Sequence, residues 1–415
     1  MNRAATFVLL SALSRLACGM NAETQPPIPG DPRTTFLHAL LRAPAIEAAS
    51  LRASAAAERM GSSGRVPDPQ LEVMGSRMVG PMKERSTMWE VTVSQPLPKW
   101  GERAADRERA QAVHAMAGAD YALMAGEMAS EVAMAIAEAA GADQRAGLLG
   151  EQVERLRSLL TAVEVRLSAG TNGRLADKLS LATRIAAMEL MIEEEKQMAA
   201  NAASQARGIL GVAPNVALPD YAAPALTDVK VDETAEAVLA TARAQEANAM
   251  VLMAQASSRP MTAVGVRFEQ ERTSMGDENT VGLAVMTDLP WRTRRYAAAD
   301  LRAAKAEREA ARADSATARH RLESALTRAR RARALADTAL RLSRETQERL
   351  NAEFDALMRS ASAGNMAGST LFEAVELLEK ATETRLRAIQ AETNARVAEA
   401  ALWRHANVSL FQLHN

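Results

Sequence analysis

Two short stretches decide the fold: Val91-Thr-Val-Ser-Gln-Pro-Leu-Pro-Lys-Trp100 and Val285-Met-Thr-Asp-Leu-Pro-Trp291. In each, an alternating segment typical of a strand ends at a Leu-Pro pair and a tryptophan, and a long alanine- and charge-rich helical pattern follows. The Leu-Pro pairs lie 192 positions apart, and two Ser-Ala-Gly triplets, starting at Ser168 and Ser362, lie 194 positions apart. Because two independent landmarks share nearly one offset, we predict an internal tandem repeat.

Each half contains the same order of predicted elements: a helix, two strands, a very long helix and a shorter helix. The predicted bounds are 33–60, 70–79, 87–96, 101–168 and 174–210 in the first half, and 230–257, 262–271, 280–289, 292–360 and 370–413 in the second. The corresponding domains are a signal peptide at 1–22, a first repeat at 23–212, a proline-bearing linker at 213–229 and a second repeat at 230–415.

Composition narrows the class of protein. The 415 residues carry 50 Lys+Arg against 51 Asp+Glu, so the basic excess that binds nucleic acid is missing. A single cysteine excludes an intrachain disulfide framework and a thiolate-clustered metal site. Much of the apolar content is alanine, which favours thin, closely packed helices over a thick globular core.

The N-terminus has the order of a secretory signal: Arg3, a short apolar run from Ala4 to Leu13, then small residues. Cys18 stands where a lipoprotein cysteine could be, but Arg15 replaces the usual aliphatic residue, so plain cleavage and lipidation both stay open. No later segment reaches the roughly 20 apolar residues that a transmembrane helix needs.

The long helices and the short strands each need packing partners of a different kind. Sixty-eight residues from 101 to 168 form a rod about 100 Å long at 1.5 Å per residue, and such a rod has to pack laterally. The strands alternate, with one face formed by Val91, Val93, Val264, Val266, Phe268, Val281, Leu283 and Val285. This pattern fits either a half-solvated soluble sheet or a lipid-facing barrel wall, but four strands cannot close a barrel without other chains.

The order of elements, together with Val66-Pro-Asp-Pro69, Ser94-Gln-Pro-Leu-Pro-Lys-Trp-Gly101 and the two Ser-Ala-Gly turns, resembles the TolC-like outer-membrane efflux channel family. The resemblance implies a mainly α protein with a small β part. Its long antiparallel helical hairpins form an α-barrel, and its four strands contribute to the 12-stranded transmembrane β-barrel of a homotrimer. It also implies an outer-membrane location that extends into the periplasm, and a membrane-fusion adaptor and an RND-type inner-membrane pump as partners.

The same resemblance implies roles for particular residues. Carboxylates beyond the hairpin tips are gate candidates, although the dipole of a helix N-terminus also explains acidic residues there: Asp177, Glu373 and Glu376. The tip glycines are candidates for adaptor contact: Gly170, Gly173, Gly364 and Gly368. Aromatic residues after the strands fit either a membrane-interface belt or core packing: Trp100, Trp291 and Tyr296.

No residue set suggests catalysis, a cofactor or a resident metal, since the five histidines are scattered without ligand spacing. Met74, Met78, Met82 and Met88 surround the first hairpin, where thioethers either fill gaps or contact a soft cation such as Cu(I). With the Pro-Asp-Pro motif, this hairpin resembles the heavy-metal efflux branch of the family, which implies metal cations as cargo. The predicted function is passive export through the channel; the alternative is a soluble periplasmic adaptor or scaffold.

Overall fold

The structure is a computed structural model that describes residues 32–79, 85–169, 174–225, 229–273, 276–288, 293–360 and 368–411. Its elements follow the predicted order in both halves. They are α1 (Pro32–Leu41), α2 (Pro44–Gly61), β1 (Gln70–Val79), β2 (Arg85–Leu97), α3 (Glu102–Ser168), α4 (Leu175–Leu210), α5 (Ala235–Ser257), β3 (Thr262–Thr273), β4 (Gly276–Thr287), α6 (Thr293–Ser360) and α7 (Gly368–Ala400). The predicted tandem repeat and the mainly α class with a small β part are confirmed.

Two predicted helices have different bounds in the structure. The single helix predicted at 33–60 is two helices, because Pro44 cannot extend α1 and instead starts α2 within its first turn. The helix predicted at 370–413 is wrong beyond Ala400, where the chain continues as short 3-10 turns at Ala401–His405 and Val408–Phe411. The buried indole of Trp403 donates to the Ala222 carbonyl oxygen at 2.9 Å, so tertiary contacts end the helix.

The strands form one antiparallel sheet in the order β1-β2-β3-β4. β4 begins four residues before the predicted 280 and ends two before the predicted 289, because its pairing with β3 extends to the Thr273–Gly276 pair. β1 and β4 are the two edges of this sheet, and no other strand pairs with them among the described residues. The sheet is therefore open at both sides.

The helices lie side by side in four rows. α3 packs against α2 and α4 on one flank and against α5 and α7 on the other, and α6 packs against α5 and α7. The row of α2 and α4 and the row of α6 are therefore the two edges of the helical layer. Helices α3 and α6, with 67 and 68 residues, are each about 100 Å long at 1.5 Å per residue.

Three hydrophobic clusters hold the rows together, and the smallest joins α6 to the turn after α7 through Ala325, Ala329 and Leu402. The upper cluster surrounds Trp403, whose ring centroid lies 5.5 Å from that of Phe36 and 6.2 Å from that of Phe411. The lower cluster joins α3, α4 and α7 near the hairpin tips through Leu156, Leu181 and Leu378. Between them the contacts are mostly alanine and glycine, which lets the helix axes approach closely.

Candidate channel wall and gate

The strand register puts all eight apolar residues singled out in the sequence on one face of the sheet. Val93 pairs with Val266, which pairs with Leu283; Val91 pairs with Phe268, which pairs with Val281. Directly opposed residues point to the same side of an antiparallel sheet. Val264 and Val285 extend the same face along β3 and β4, and the β2 residue opposite Val264 is the polar Gln95.

This apolar face is solvent-exposed in the single chain. Leu283 is 84% exposed, and Val281, Val285 and Val266 are also exposed. A sheet face that belonged to a folded core would be covered by helices, whereas this face is left uncovered by the described elements of the single chain. Three more residues of the same face, Leu71, Val73 and Trp89, are exposed and extend it across β1 and the upper part of β2. The alternation in the sequence of β2 places Trp89 on this face together with Val91 and Val93. In β1, the charged Arg77 on the same face as Leu71 and Val73 obscures the alternation.

The opposite face is polar and acidic. It contains Glu72, Glu90, Arg267 and Glu269, and Glu90 receives an ion pair from Arg267 at 2.5 Å. Glu269 lies 3.6 Å from the same guanidinium. Thr92 on this face is buried although it is polar. The sheet therefore exposes its apolar side and shelters part of its polar side, the reverse of a soluble sheet packed on a core.

The methionines of the first hairpin belong to the polar side. Met74 pairs with Glu90, and Met88 pairs with Ser76 and Glu271, so the two thioether-bearing residues are diagonal neighbours. Met74 is exposed and Met88 is half-buried. Met82 and the side chain of Met78 lie outside the described residues.

Two of the predicted interface aromatics lie on the surface where the strands join the long helices. Trp100 is 83% exposed, and its carbonyl oxygen accepts a hydrogen bond from Arg259 Nη1 at 2.7 Å. Tyr296, in the first turn of α6, is also exposed. Core packing within the protomer is therefore excluded for both rings. Trp291 lies outside the described residues. Gly101, with φ of 86°, provides the left-handed turn that leads from β2 into α3.

The hairpin tips lie partly outside the described residues. Gly170, Gly173 and Gly364 fall in undescribed segments, and Gly368 is the first residue of α7. Asp177 lies in the first turn of α4, and Glu373 and Glu376 lie in the second and third turns of α7; both helices start from these tips.

The gate candidates differ in their surroundings. Asp177 is only 6% exposed, beside the cluster that joins α3, α4 and α7, so it is buried within the protomer. Glu373 and Glu376 are exposed and line an open groove with Glu353 of α6. Lys380, one turn further along α7, forms an ion pair with Glu376 at 2.8 Å, and this contact lowers the pKa of the Glu376 carboxyl.

Nothing in the described part of the chain gathers three or more His, Cys, Asp or Glu side chains in a geometry that could hold a metal ion. Within those residues, every helix is too short or too polar to cross a membrane.

Comparisons with known proteins agree with this architecture. Residues 37–207 match the sequence model of a family described as outer membrane efflux protein. Among curated proteins, no sequence matches this chain. The fold is similar to a membrane protein of Pseudomonas aeruginosa (TM-score 0.72, 16% identity, 91% of this chain and 93% of that one). It is also similar to the outer membrane protein VceC of Vibrio cholerae (TM-score 0.72, 14% identity, 90% and 96%) and to the open state of the outer membrane channel MtrE of Neisseria gonorrhoeae (TM-score 0.68, 16% identity, 89% and 87%).

The resemblance to the TolC-like outer-membrane efflux channel family is thus confirmed: the sequence match covers the first repeat, and the shared fold covers about nine-tenths of the chain.

Proposed function

We propose that three copies of this chain form an outer-membrane efflux channel, which passively conducts substrates from an inner-membrane pump across the periplasm and the outer membrane. The observation that carries the proposal is the exposed apolar face of an open four-stranded sheet, joined directly to rods about 100 Å long. The proposed mechanism is conduction and involves no bond chemistry.

The sheet supports a barrel made of three protomers. In lipid, every backbone N–H and C=O group has to be paired, and the open edges of β1 and β4 leave one row of such groups unpaired on each side. Three four-stranded sheets joined edge to edge make a closed twelve-stranded barrel without free edges. The face formed by Val91, Val93, Val264, Val266, Phe268, Val281, Leu283 and Val285 then contacts lipid, and the acidic face lines the lumen.

The helical layer supports the same assembly. Both edge rows expose leucines in the single chain, Leu179 and Leu190 on α4 and Leu335 and Leu342 on α6. In a ring of three protomers these rows meet, and twelve rows of helices form a tunnel that continues the barrel. Exposed Trp100 and Tyr296, where the strands become helices, fit the aromatic belt at the membrane interface, to which we also assign Trp291.

The tunnel is proposed to close at the hairpin tips. Glu373 and Glu376 are exposed there, so three copies of each supply a ring of carboxylates that attracts cations and opposes anions. Asp177 is assigned to the same constriction, although its burial makes it a support for the tip in the closed state. The tip glycines, Gly170, Gly173, Gly364 and Gly368, are assigned to the contact with a membrane-fusion adaptor, which links the channel to an RND-type pump.

Metal cations are the proposed cargo. Met74 and Met88 lie on the sheet face that carries Glu72, Glu90 and Glu269, opposite to the face assigned to lipid. Thioethers bind soft cations such as Cu(I), and the carboxylates beside them attract any cation. This pairing favours cations over anionic or large apolar organic molecules.

The alternative function, a soluble periplasmic adaptor or scaffold, conflicts with the exposed sheet face, because a water-soluble protein rarely exposes such a continuous apolar surface.

The test is to extract the mature protein from outer membranes with detergent, measure its mass and record its conductance in planar bilayers. We expect a trimer and discrete, passive conductance that prefers cations. A monomer recovered in the soluble periplasmic fraction would exclude the channel.

A further inference from the structure

Helix α4 exposes a stripe that the protomer does not use. Leu190 is 63% exposed, and the buried Ala199 follows nine residues later. At 100° per residue, nine residues are two and a half turns, so the two side chains are on opposite sides of the helix. Leu190 therefore faces away from α3, which covers Ala199. Glu193 and Glu194, about one turn further, are also exposed. Among the described residues, neither carboxylate has a cationic partner.

Helix α6 exposes a complementary stripe. Leu335 is 65% exposed and Leu342, two turns further, is also exposed. Arg330 and Arg331 are exposed beside them, and within the described part of the chain neither forms an ion pair. In the described residues, α6 thus carries two exposed leucines flanked by arginines without an ion-pair partner, and α4 carries one exposed leucine flanked by glutamates without a cationic partner.

Ion pairs between neighbouring helices show that the two stripes lie at the same level along the rods. Arg145 of α3 contacts Glu195 of α4 at 2.8 Å, which puts the α4 stripe beside this part of α3. A second step leads from α3 to α7, because Arg385 contacts Glu151 at 3.3 Å.

The last step leads from α7 to α6. Arg333 of α6 contacts Glu392 of α7 at 3.1 Å. Because α3 and α7 are antiparallel, the level of Arg145 on α3 is close to that of Glu392 on α7, and hence to that of Arg333 on α6. Leu190, about one turn below Glu195, then lies at a level between Leu335 and Leu342.

We infer that these stripes are the two halves of one seam between protomers. Leu190 of one copy inserts between Leu335 and Leu342 of the next, and Glu193 and Glu194 pair with the guanidinium groups of Arg330 and Arg331. The carboxylates and the arginines are on the same side of their leucines, toward the membrane, because α4 runs toward the strands and α6 runs away from them. Shape and charge therefore select one register between the copies. The inference rests on the proposed trimer and adds its register.

Disulfide cross-linking tests the register. In a Cys18→Ser background, the pair Leu190→Cys with Leu335→Cys and the pair Leu190→Cys with Leu342→Cys are expected to form covalent trimers in intact membranes under mild oxidation. The control pair, Leu190→Cys with Ala310→Cys, joins the same two helices but separates the thiols by about 40 Å along the rod, at 1.5 Å per residue, and is expected to remain uncross-linked. Cross-linking of the control and of neither test pair would overturn the register.

Charge reversal tests the ion pairs separately. Reversing Glu193 and Glu194 to arginine, or Arg330 and Arg331 to glutamate, puts like charges together and is expected to lower the trimer fraction at low salt by about tenfold. The chain with all four reversals keeps the net charge and is expected to recover the trimer. If it does no better than the two-residue variants, the ion-pair assignment is wrong.

The outcomes separate the seam from the function that it presupposes. An unsubstituted protein that is monomeric in detergent refutes the proposed channel itself. A stable trimer in which neither test pair cross-links and charge reversal has no effect refutes the seam and leaves the channel intact.

Discussion

Leu283 and Ala284 are neighbours in β4 and offer a matched test of which sheet face contacts lipid. Leu283 pairs with Val266 on the apolar face, and Ala284 pairs with Gly265 on the polar face. The two residues have nearly the same depth, because successive residues of a strand rise by only about 3.3 Å. Arginine at either position therefore differs from arginine at the other almost only in the face on which it stands.

The expected effects differ in size. Leu283 is 84% exposed in the protomer, so an arginine there replaces a side chain that no protein group covers and moves a charge into lipid. Arginine on the lipid face of a barrel costs about 2–4 kcal/mol near the middle of the bilayer, for each protomer. Leu283→Arg is therefore expected to destabilise a trimer by about 6–12 kcal/mol in total. Ala284→Arg, directed at a polar lumen that already contains Arg267, is expected to cost about 1 kcal/mol or less for each protomer.

The measurement is the urea midpoint of folding into lipid vesicles, with the amount of assembled trimer in outer membranes as the second readout. Leu283→Arg should lower both strongly, and Ala284→Arg should leave both near the values of the unsubstituted protein. Because a bulky residue in the lumen can narrow the pore, conductance is not the criterion for Ala284→Arg. Equal losses in the two variants, or a larger loss for Ala284→Arg, would refute the assignment of the apolar face to lipid.

Three further outcomes are expected. Gly141→Ala puts a methyl group against Thr393 of α7 and should lower the unfolding free energy by about 1–3 kcal/mol. Gly147→Ala, on the same helix, puts its methyl group against no neighbour and should raise the unfolding free energy by about 0.4–1 kcal/mol. Urea titration measures both changes, and equal shifts would contradict the close contact between α3 and α7. Lys380→Met removes the cation that lowers the pKa of Glu376, so reversal potentials should show a stronger preference for cations at neutral pH. On acidification, the variant should lose this preference at a higher pH than the unsubstituted channel, because the pKa of Glu376 rises. An unchanged pH profile would exclude Glu376 from the conduction path. Burial lowers the pKa of His405 beside Glu236, Arg404 and Arg328, so the unfolded chain takes up the proton first and stability should fall as the pH drops below about 6.5; His405→Gln should lose this part of the pH dependence.

Much of the architecture could be predicted because the repeat and the alternation are local signals. The strand faces followed from a period of two, and the register of β2, β3 and β4 agrees with every apolar residue singled out. The end of α7 could not be predicted, since the sequence after Ala400 keeps a helical composition. Contacts with residues far away in the chain, such as those of Trp403 with Ala222 and Phe36, stabilise the 3-10 turn there.

The candidate gate was harder to predict, because acidic residues after a helix start have two explanations. Asp177 and Glu373 both follow a hairpin tip in the sequence, yet one is buried and the other exposed. The difference comes from packing: α4 near its tip is covered by α3 and α7 through Leu181 and Leu378, whereas the start of α7 borders an open groove beside α6. A repeat in sequence therefore does not require equal environments when the two halves occupy different rows of one layer.

The open edges of the sheet and of the helical layer are coupled through the connections of the chain. β1 follows α2, so the free sheet edge at β1 is joined to the row of α2 and α4; β4 leads into α6, so the other free sheet edge is joined to the opposite row. A neighbouring copy that pairs its β4 with β1 thereby brings its α6 toward α2 and α4. One rotation satisfies both layers, and a heterologous contact of this kind closes into a ring when the rotation divides the circle evenly. Four strands per copy require a third of a circle to make twelve, the same rotation that makes the four helical rows of each copy into a tunnel of twelve rows.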